Sequence, residues 1–216
     1  LSSSSAASDV YKRQDIMNFQ MASEMMAGVS ETVLINDDVA VEDSSYTTGR
    51  RGVAATVIVE KIVGSLAETG GSLKECKILG DKVNRNSGSM GVAFSSCTVP
   101  AAGKPTFKLG PDEMEFGVGI HGEPGRRRDK VQPAQEITNE LLGAIIEDLK
   151  LENNGEILLF VNGMGGTPLT ELYLLYDNAK KTLDNKNIKI ARSLVGNYCT
   201  SLEMQGASLT ITKLDQ

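Results

Sequence analysis

The sequence predicts an α/β protein in two parts. Residues 15–86 read as the remnant of a parallel-sheet α/β domain, and residues 87–216 as a second α/β domain of α+β-like character. Three observations carry this. Apolar runs of strand length, such as Thr32-Val33-Leu34-Ile35 and Ile157-Leu158-Leu159-Phe160-Val161, alternate with longer segments of helical periodicity. Strand–helix alternation of this kind favours a layered α/β architecture. A hydrophobic content of 40% over 216 residues supplies material for one large or two small cores.

Taken in order, residues 1–14 are polar and of low complexity, with Ser2-Ser3-Ser4-Ser5-Ala6-Ala7-Ser8, and lack the apolar core of a signal peptide. They read as a non-native leader, to be set aside from fold reasoning. Asp15 suits a helix N-cap, because its carboxylate accepts free N–H groups of the first turn. Ile16, Phe19 and Met26 then follow near helical spacing, and Gly28 is a stop signal. Met21, Met25 and Met26 are expected to fill core. Thr32 to Ile35 reads as a buried strand ending at the acidic turn Asn36-Asp37-Asp38. Gly52 to Ala67 reads as a mostly apolar helix. Ser72-Leu73-Lys74-Glu75 is a capping box, behind which Cys76, Leu79 and Val83 share one helix face.

A second unit begins near Ser87. Met90-Gly91-Val92-Ala93-Phe94 reads as a strand, followed by a loop from Cys97 to Pro105. Ile137, Leu141, Ile145 and Leu149 mark an amphipathic helix. The strand at Ile157–Val161 runs into Asn162-Gly163-Met164-Gly165-Gly166-Thr167-Pro168. A helix follows with Leu172, Tyr176 and Leu183 on one face, and Pro168 suits its first position. Ile188, Ile190 and Leu194 make a strand, and Leu209-Thr210-Ile211-Thr212 another. A Gly-rich turn before a helix can cradle phosphate, but this one lacks a Walker lysine and the Gly-x-Gly-x-x-Gly spacing, so a plain tight turn is the better account.

The chain's single histidine, His121, stands in Gly117-Val118-Gly119-Ile120-His121-Gly122-Glu123-Pro124-Gly125. Met114, Phe116, Val118 and Ile120 alternate with Glu115, Gly117, Gly119 and His121, the period of a strand with one buried face. On that reading His121 shares a face with Gly117 and Gly119, so a small ligand could approach its imidazole closely. Gly122 then lets the chain leave the strand, and Glu123-Pro124-Gly125 is turn chemistry. The pattern alone leaves two readings open: a ligand-binding imidazole, or a histidine at a strand end satisfied by a hydrogen bond.

Composition narrows the classes. The net charge of −6 argues against a nucleic-acid partner. The basic run Arg126-Arg127-Arg128-Asp129-Lys130 reads as a solvated loop, since acids follow closely. Cys76, Cys97 and Cys199 are far apart and in no metal spacing, and read as reduced core thiols of a cytoplasmic protein. One histidine leaves no credible zinc site, so no metal is expected on the chain. No apolar run approaches membrane-spanning length.

The segment Glu113 to Gly125 resembles the active-site segment of the substrate-binding subunits of dihydroxyacetone kinases, the DhaK family. Ile35–Val41, Tyr46–Ala54, Cys97–Pro105 and Thr167–Tyr173 resemble the same family, in the right order. The resemblance runs from about Asp15 onwards and covers the later part of the family's subunit. It implies that His121 holds dihydroxyacetone covalently as a hemiaminal, with Asp15 beside the substrate hydroxyl as general base or orienting group. Gly119 and Gly122 complete the implied substrate-binding set. It implies that the chain itself binds no nucleotide, and that magnesium-bound ADP or ATP sits on a separate L subunit. A homodimer is the family expectation. The family's Gly-rich Ser-Gly-His-Glu-Pro type loop and its substrate-side lysine are not found in the sequence, so this polypeptide alone is expected to be inactive. The alternative the resemblance allows is a non-catalytic, dihydroxyacetone-sensing paralogue acting on a transcriptional regulator.

Overall fold

The computed structural model describes residues 16–26, 28–41, 49–101, 103–120 and 125–214. Its helices are α1 (16–25), α2 (Ala55–Glu68), α3 (Leu73–Arg85), α4 (Ala134–Leu149) and α5 (Leu169–Asn185). Its strands are β1 (Ser87–Ala93), β2 (Thr98–Val99), β3 (Lys104–Pro105), β4 (Glu113–Phe116), β5 (Arg127–Lys130), β6 (Glu156–Gly163), β7 (Lys189–Gly196) and β8 (Gly206–Leu214). Six strands form one sheet in the order β5-β4-β1-β8-β6-β7, and β2 with β3 makes a small separate ribbon.

Period two sorts the sheet's faces. Ile157, Leu159 and Val161 of β6 and Leu209 and Ile211 of β8 join the core beneath α4 and α5, with Leu141, Ile145, Leu172 and Leu183. The opposite face presents Phe160 to Ala54, Ile58 and Val59 around α2 and to Val83 of α3. On that face Ser87 bonds Thr212 at 2.8 Å and Ser89 bonds Thr210 at 2.7 Å, so buried hydroxyls satisfy one another across β1 and β8. Helices therefore cover both faces, as the α/β class requires. The capping box of α3 forms as expected: Glu75 N donates to the Ser72 hydroxyl and Ser72 N donates to the Glu75 carboxylate.

Several expectations need correction. Residues 32–35 are extended but join no strand; Val33 and Ile35 pack onto the α2–α3 side as loop. Among the described residues, β6 with β7 is the parallel strand pair, the other parallel contacts being isolated bridges, and every sheet strand comes from residues 87–214. The strand expected to reach His121 stops at Phe116. Gly117 takes φ +75°, and a Cβ there would lie 2.6 Å from that of Ala40, so the chain turns where the alternation predicted continuation. Gly117 and Gly119 therefore share no regular strand face. Met21, Met25 and Met26 are exposed, Met25 by 84%, and fill no core among the described residues. The basic run is not a loop: it is the edge strand β5, whose Arg127 pairs with Asp129 and Glu140 and whose Arg128 pairs with Glu113 and Glu115. Pro168 is the N-cap of α5 rather than its first residue, in extended geometry. All three thiols are free, and only Cys97 is fully buried. No helix among the described residues is long and apolar enough to cross a membrane.

The glycines after β6 lie directly against other backbone. A Cβ on Gly165 would sit 1.9 Å from the Leu202 carbonyl oxygen, and one on Gly166 would sit 2.4 Å from that of Glu203. They are present for close backbone packing, which supports the tight-turn reading.

A knot of buried charge ties the first segment to the sheet. β8 pairs with β1 along its whole length, from Ser87 to Ala93. The other edge of β1 is shared: β4 takes Val92 and Ala93, and the chain at Asp38 bridges Ser89 in parallel. Ser89 N donates to the Asp37 carbonyl at 2.7 Å and Val39 N to the Ser89 carbonyl at 2.9 Å. This places the acidic turn on the strand. The Asp37 carboxylate is fully buried and accepts from Val53 N at 2.8 Å, Ala55 N at 2.9 Å and the Ser89 hydroxyl. Ala54, the N-cap of α2, makes no side-chain cap bond, so Asp37 caps this helix from a distant turn.

Asp37→Ala is expected to lower stability by about 3 kcal/mol in urea denaturation, because it orphans two buried N–H groups at a helix start. Burial also raises the pKa of Asp37, and pushes that of Asp38 from 3.8 up to about 6 against the pull of Arg51. Asp38 then holds a proton in the folded state that it has lost in the unfolded one, so its contribution to stability falls as pH rises from about 3.8 to about 6, and Asp37 acts in the same direction. Asp38→Asn is expected to flatten that part of the stability–pH curve, measured as denaturation midpoints across the interval.

Candidate functional site

The site builds outward from Arg51. Its side chain is nearly buried where the chain enters α2, and its Nε donates to Asp38 Oδ2 at 2.7 Å. The other carboxylate oxygen of Asp38 accepts from Ala40 N at 3.0 Å. One guanidinium Nη of Arg51 donates to the Gly117 carbonyl at 2.6 Å, across 66 residues of sequence. The Gly117 amide donates to the Gly91 carbonyl at 2.7 Å. Both peptide groups of Gly117 are therefore held where the chain leaves β4.

The return is held as well. Arg126 N donates to the Phe116 carbonyl at 2.7 Å, and Gly125 N donates to Glu115 Oε1 at 2.7 Å. Glu115 is only 5% exposed and its other oxygen accepts from Arg128 at 3.0 Å. A Cβ on Gly125 would lie 2.1 Å from the Phe116 carbonyl oxygen, so glycine is required for this approach. The guanidinium of Arg127 stacks 5.1 Å from the centre of the Phe116 ring.

A cavity of about 640 Å³ opens beside this segment, with walls that include Phe19, Val33, Ile35, Arg51, Gly119 and Ile120. Of the site residues expected from sequence, Gly119 is buried and lines this cavity. His121, Gly122 and Asp15 lie outside the described residues. Ile16, the neighbour of Asp15, lines the same cavity as Gly119 and Ile120, so the described flanks of Asp15 and His121 face one space. Among the described residues no cluster of three His, Cys, Asp or Glu side chains could hold a metal ion. Burial pushes the Cys199 thiol up to about 11, which keeps it protonated and poorly nucleophilic.

Sequence reasoning assigned no role to Asp37, Asp38, Arg51 or Glu115. One signal was available: Asp37-Asp38 directly follow an apolar run and Arg50-Arg51 directly precede an apolar helix, positions where charge is buried only if paired.

Comparison with known proteins places this geometry. Over 204 residues the chain is 48% identical to the dihydroxyacetone-binding subunit DhaK of a PTS-dependent dihydroxyacetone kinase from Listeria innocua, covering 93% of this chain and 62% of that protein. It thus spans about three-fifths of that relative's length. Among solved structures it is similar to the dihydroxyacetone kinase operon co-activator DhaQ, with TM-score 0.84 and 30% identity over 94% of this chain and 63% of that one. It is also similar to the dihydroxyacetone kinase of C. freundii in complex with AMP-PNP and magnesium, with TM-score 0.76 and 29% identity over 94% of this chain and 37% of that one. The Dak1 domain description matches residues 11–216, nearly the whole sequence, and the chain belongs to the Dak1 domain family.

Proposed function

We propose that this chain is the substrate-holding part of a dihydroxyacetone kinase and binds dihydroxyacetone through His121. The observation that carries the reading is the 48% identity to a dihydroxyacetone-binding subunit, over a stretch that includes the whole His121 segment. The pinned ends of that segment and the cavity wall at Gly119 and Ile120 support it.

The chemistry follows from the residue type. The lone pair of a neutral imidazole nitrogen adds to the carbonyl carbon; the carbonyl π electrons move to oxygen, which gains a proton as the ring loses its N–H proton. The product is a tetrahedral hemiaminal with no leaving group. A covalent bond supplies affinity that a three-carbon molecule cannot gain by burial, and it rejects glycerol, which has no carbonyl. Asp15 accepts the proton of the terminal hydroxyl as that oxygen attacks phosphorus. The phosphoryl donor is a magnesium-bound nucleoside triphosphate on a separate L subunit or domain, either ADP rephosphorylated there by a phosphotransferase relay or exchangeable ATP, and ADP is the leaving group. Positioning then does most of the catalytic work.

A second reading is a non-catalytic dihydroxyacetone sensor acting on a transcriptional regulator, favoured by the TM-score of 0.84 to an operon co-activator. It uses the same adduct without phosphoryl transfer.

Carbon-13 NMR with labelled dihydroxyacetone tests the shared step. The carbonyl signal is expected to give way to a tetrahedral-carbon signal with the wild-type chain and not with His121→Ala; an adduct that survives His121→Ala sinks the reading. With a competent L partner, Asp15→Asn is expected to retain the adduct and slow product formation by about 10²–10⁴-fold. Adduct without any product in the wild type would favour the sensor.

A further inference from the structure

We infer that Arg51 and Glu115 are positioning residues that set the placement of His121, from outside the segment that carries it. The inference takes from the reading above what the segment does, and from the geometry how it is held.

The segment between Gly117 and Gly125 is bracketed by two nearly buried charges of opposite sign. At its start Arg51 donates to the Gly117 carbonyl at 2.6 Å, and at its end Glu115 accepts from Gly125 N at 2.7 Å. Neither bond is needed to build the β4–β5 pair. That pair is already registered by backbone bonds at Glu113↔Lys130, Met114↔Asp129, Glu115↔Arg128 and Phe116↔Arg127. A buried charge is costly to desolvate and is retained where its geometry does something an apolar side chain cannot. Here each charge ends on the backbone of a residue flanking the His121 segment.

Each is also neutralised on its far side, Arg51 by Asp38 at 2.7 Å and Glu115 by Arg128 at 3.0 Å. The first clamp is rooted in the buried turn that caps α2 and bridges β1. The second is rooted in the edge strand β5. The two ends of the segment are thus referenced to different parts of the fold, and a small shift at either end would displace a nucleophile that must meet a carbonyl carbon at bonding distance. If Arg51 served only to neutralise Asp38, any cation reaching Asp38 would suffice and the bond to Gly117 would be incidental.

The chain's single histidine makes this directly measurable, because its imidazole Cε1–H gives one proton NMR resonance. Arg51→Lys keeps a positive charge for Asp38, but one ammonium on a single stem cannot reproduce the planar fork that serves Asp38 and Gly117 together. In the wild-type chain the His121 resonance is expected away from its random-coil position. In folded Arg51→Lys and Glu115→Gln it is expected to move toward random coil, and the adduct fraction is expected to fall at least tenfold. Folding of each variant is checked by its melting temperature. If Arg51→Lys fails to fold, the neutral pair Arg51→Gln with Asp38→Asn removes the charge and the clamp together, and Glu115→Gln reports independently. A wild-type His121 chemical shift and a wild-type adduct fraction in the folded variants overturn the inference. A wild type that forms no adduct, with a His121 resonance that still responds to Arg51→Lys, sinks the functional reading and leaves this one standing.

Discussion

The buried Asp37–Asp38 turn is the constraint on which the rest depends. It is built on one edge of β1, beside the end of β4, because β8 occupies the opposite edge completely. From that place it does three things at once. Asp37 closes the open N–H groups of α2, Asp38 anchors Arg51, and its backbone extends the sheet. The helix layer, the sheet and the His121 segment meet through two carboxylates that water does not reach. Such a cluster is stable only when every lone pair is matched, and among the described residues no buried side-chain nitrogen or oxygen is left without a partner.

This arrangement divides the labour between scaffold and chemistry. The apolar core beneath α4 and α5 fixes the strands with side chains whose order hardly matters beyond size and pattern. The polar cluster fixes one point, Gly117, to within hydrogen-bond tolerance. If the segment presents a nucleophile, as proposed for His121, it gains from being held at its flanks, since bonds within it would compete with the ligand for the same groups.

Much of the scaffold was legible in the sequence because local signals and tertiary burial agree there. The Ser72–Glu75 box, the apolar spacing of Ile137 to Leu149 and the runs at Ile157–Val161 and Leu209–Thr212 all lead to elements at the expected places. The misreadings arise where a local pattern has no partner. Thr32–Ile35 has strand composition, but no described strand lies beside it, and its apolar side chains pack as loop. The alternation through Val118 and Ile120 is real in the residues, yet the left-handed backbone of Gly117 ends the strand at Phe116. The burial of Arg51 could be suspected from its place before an apolar helix, but its partner could not: Arg51 meets Gly117 across 66 positions, and no spacing rule reaches that far.

The place of β8 has a consequence for how the protein is made. Among the described strands it comes after all the others, yet it lies in the middle of the sheet and alone joins β5-β4-β1 to β6-β7. While residues 206–214 are still inside the ribosome, the emerging chain holds two half-sheets, each with a bare edge toward its missing neighbour. The Asp37 turn, α2 and the Arg51 clamp on Gly117 all rest on β1, so they too wait for that strand before their foundation is complete. Completion of the site therefore waits on β8, and before that strand is in place β1 and β6 are open to pairing with another chain.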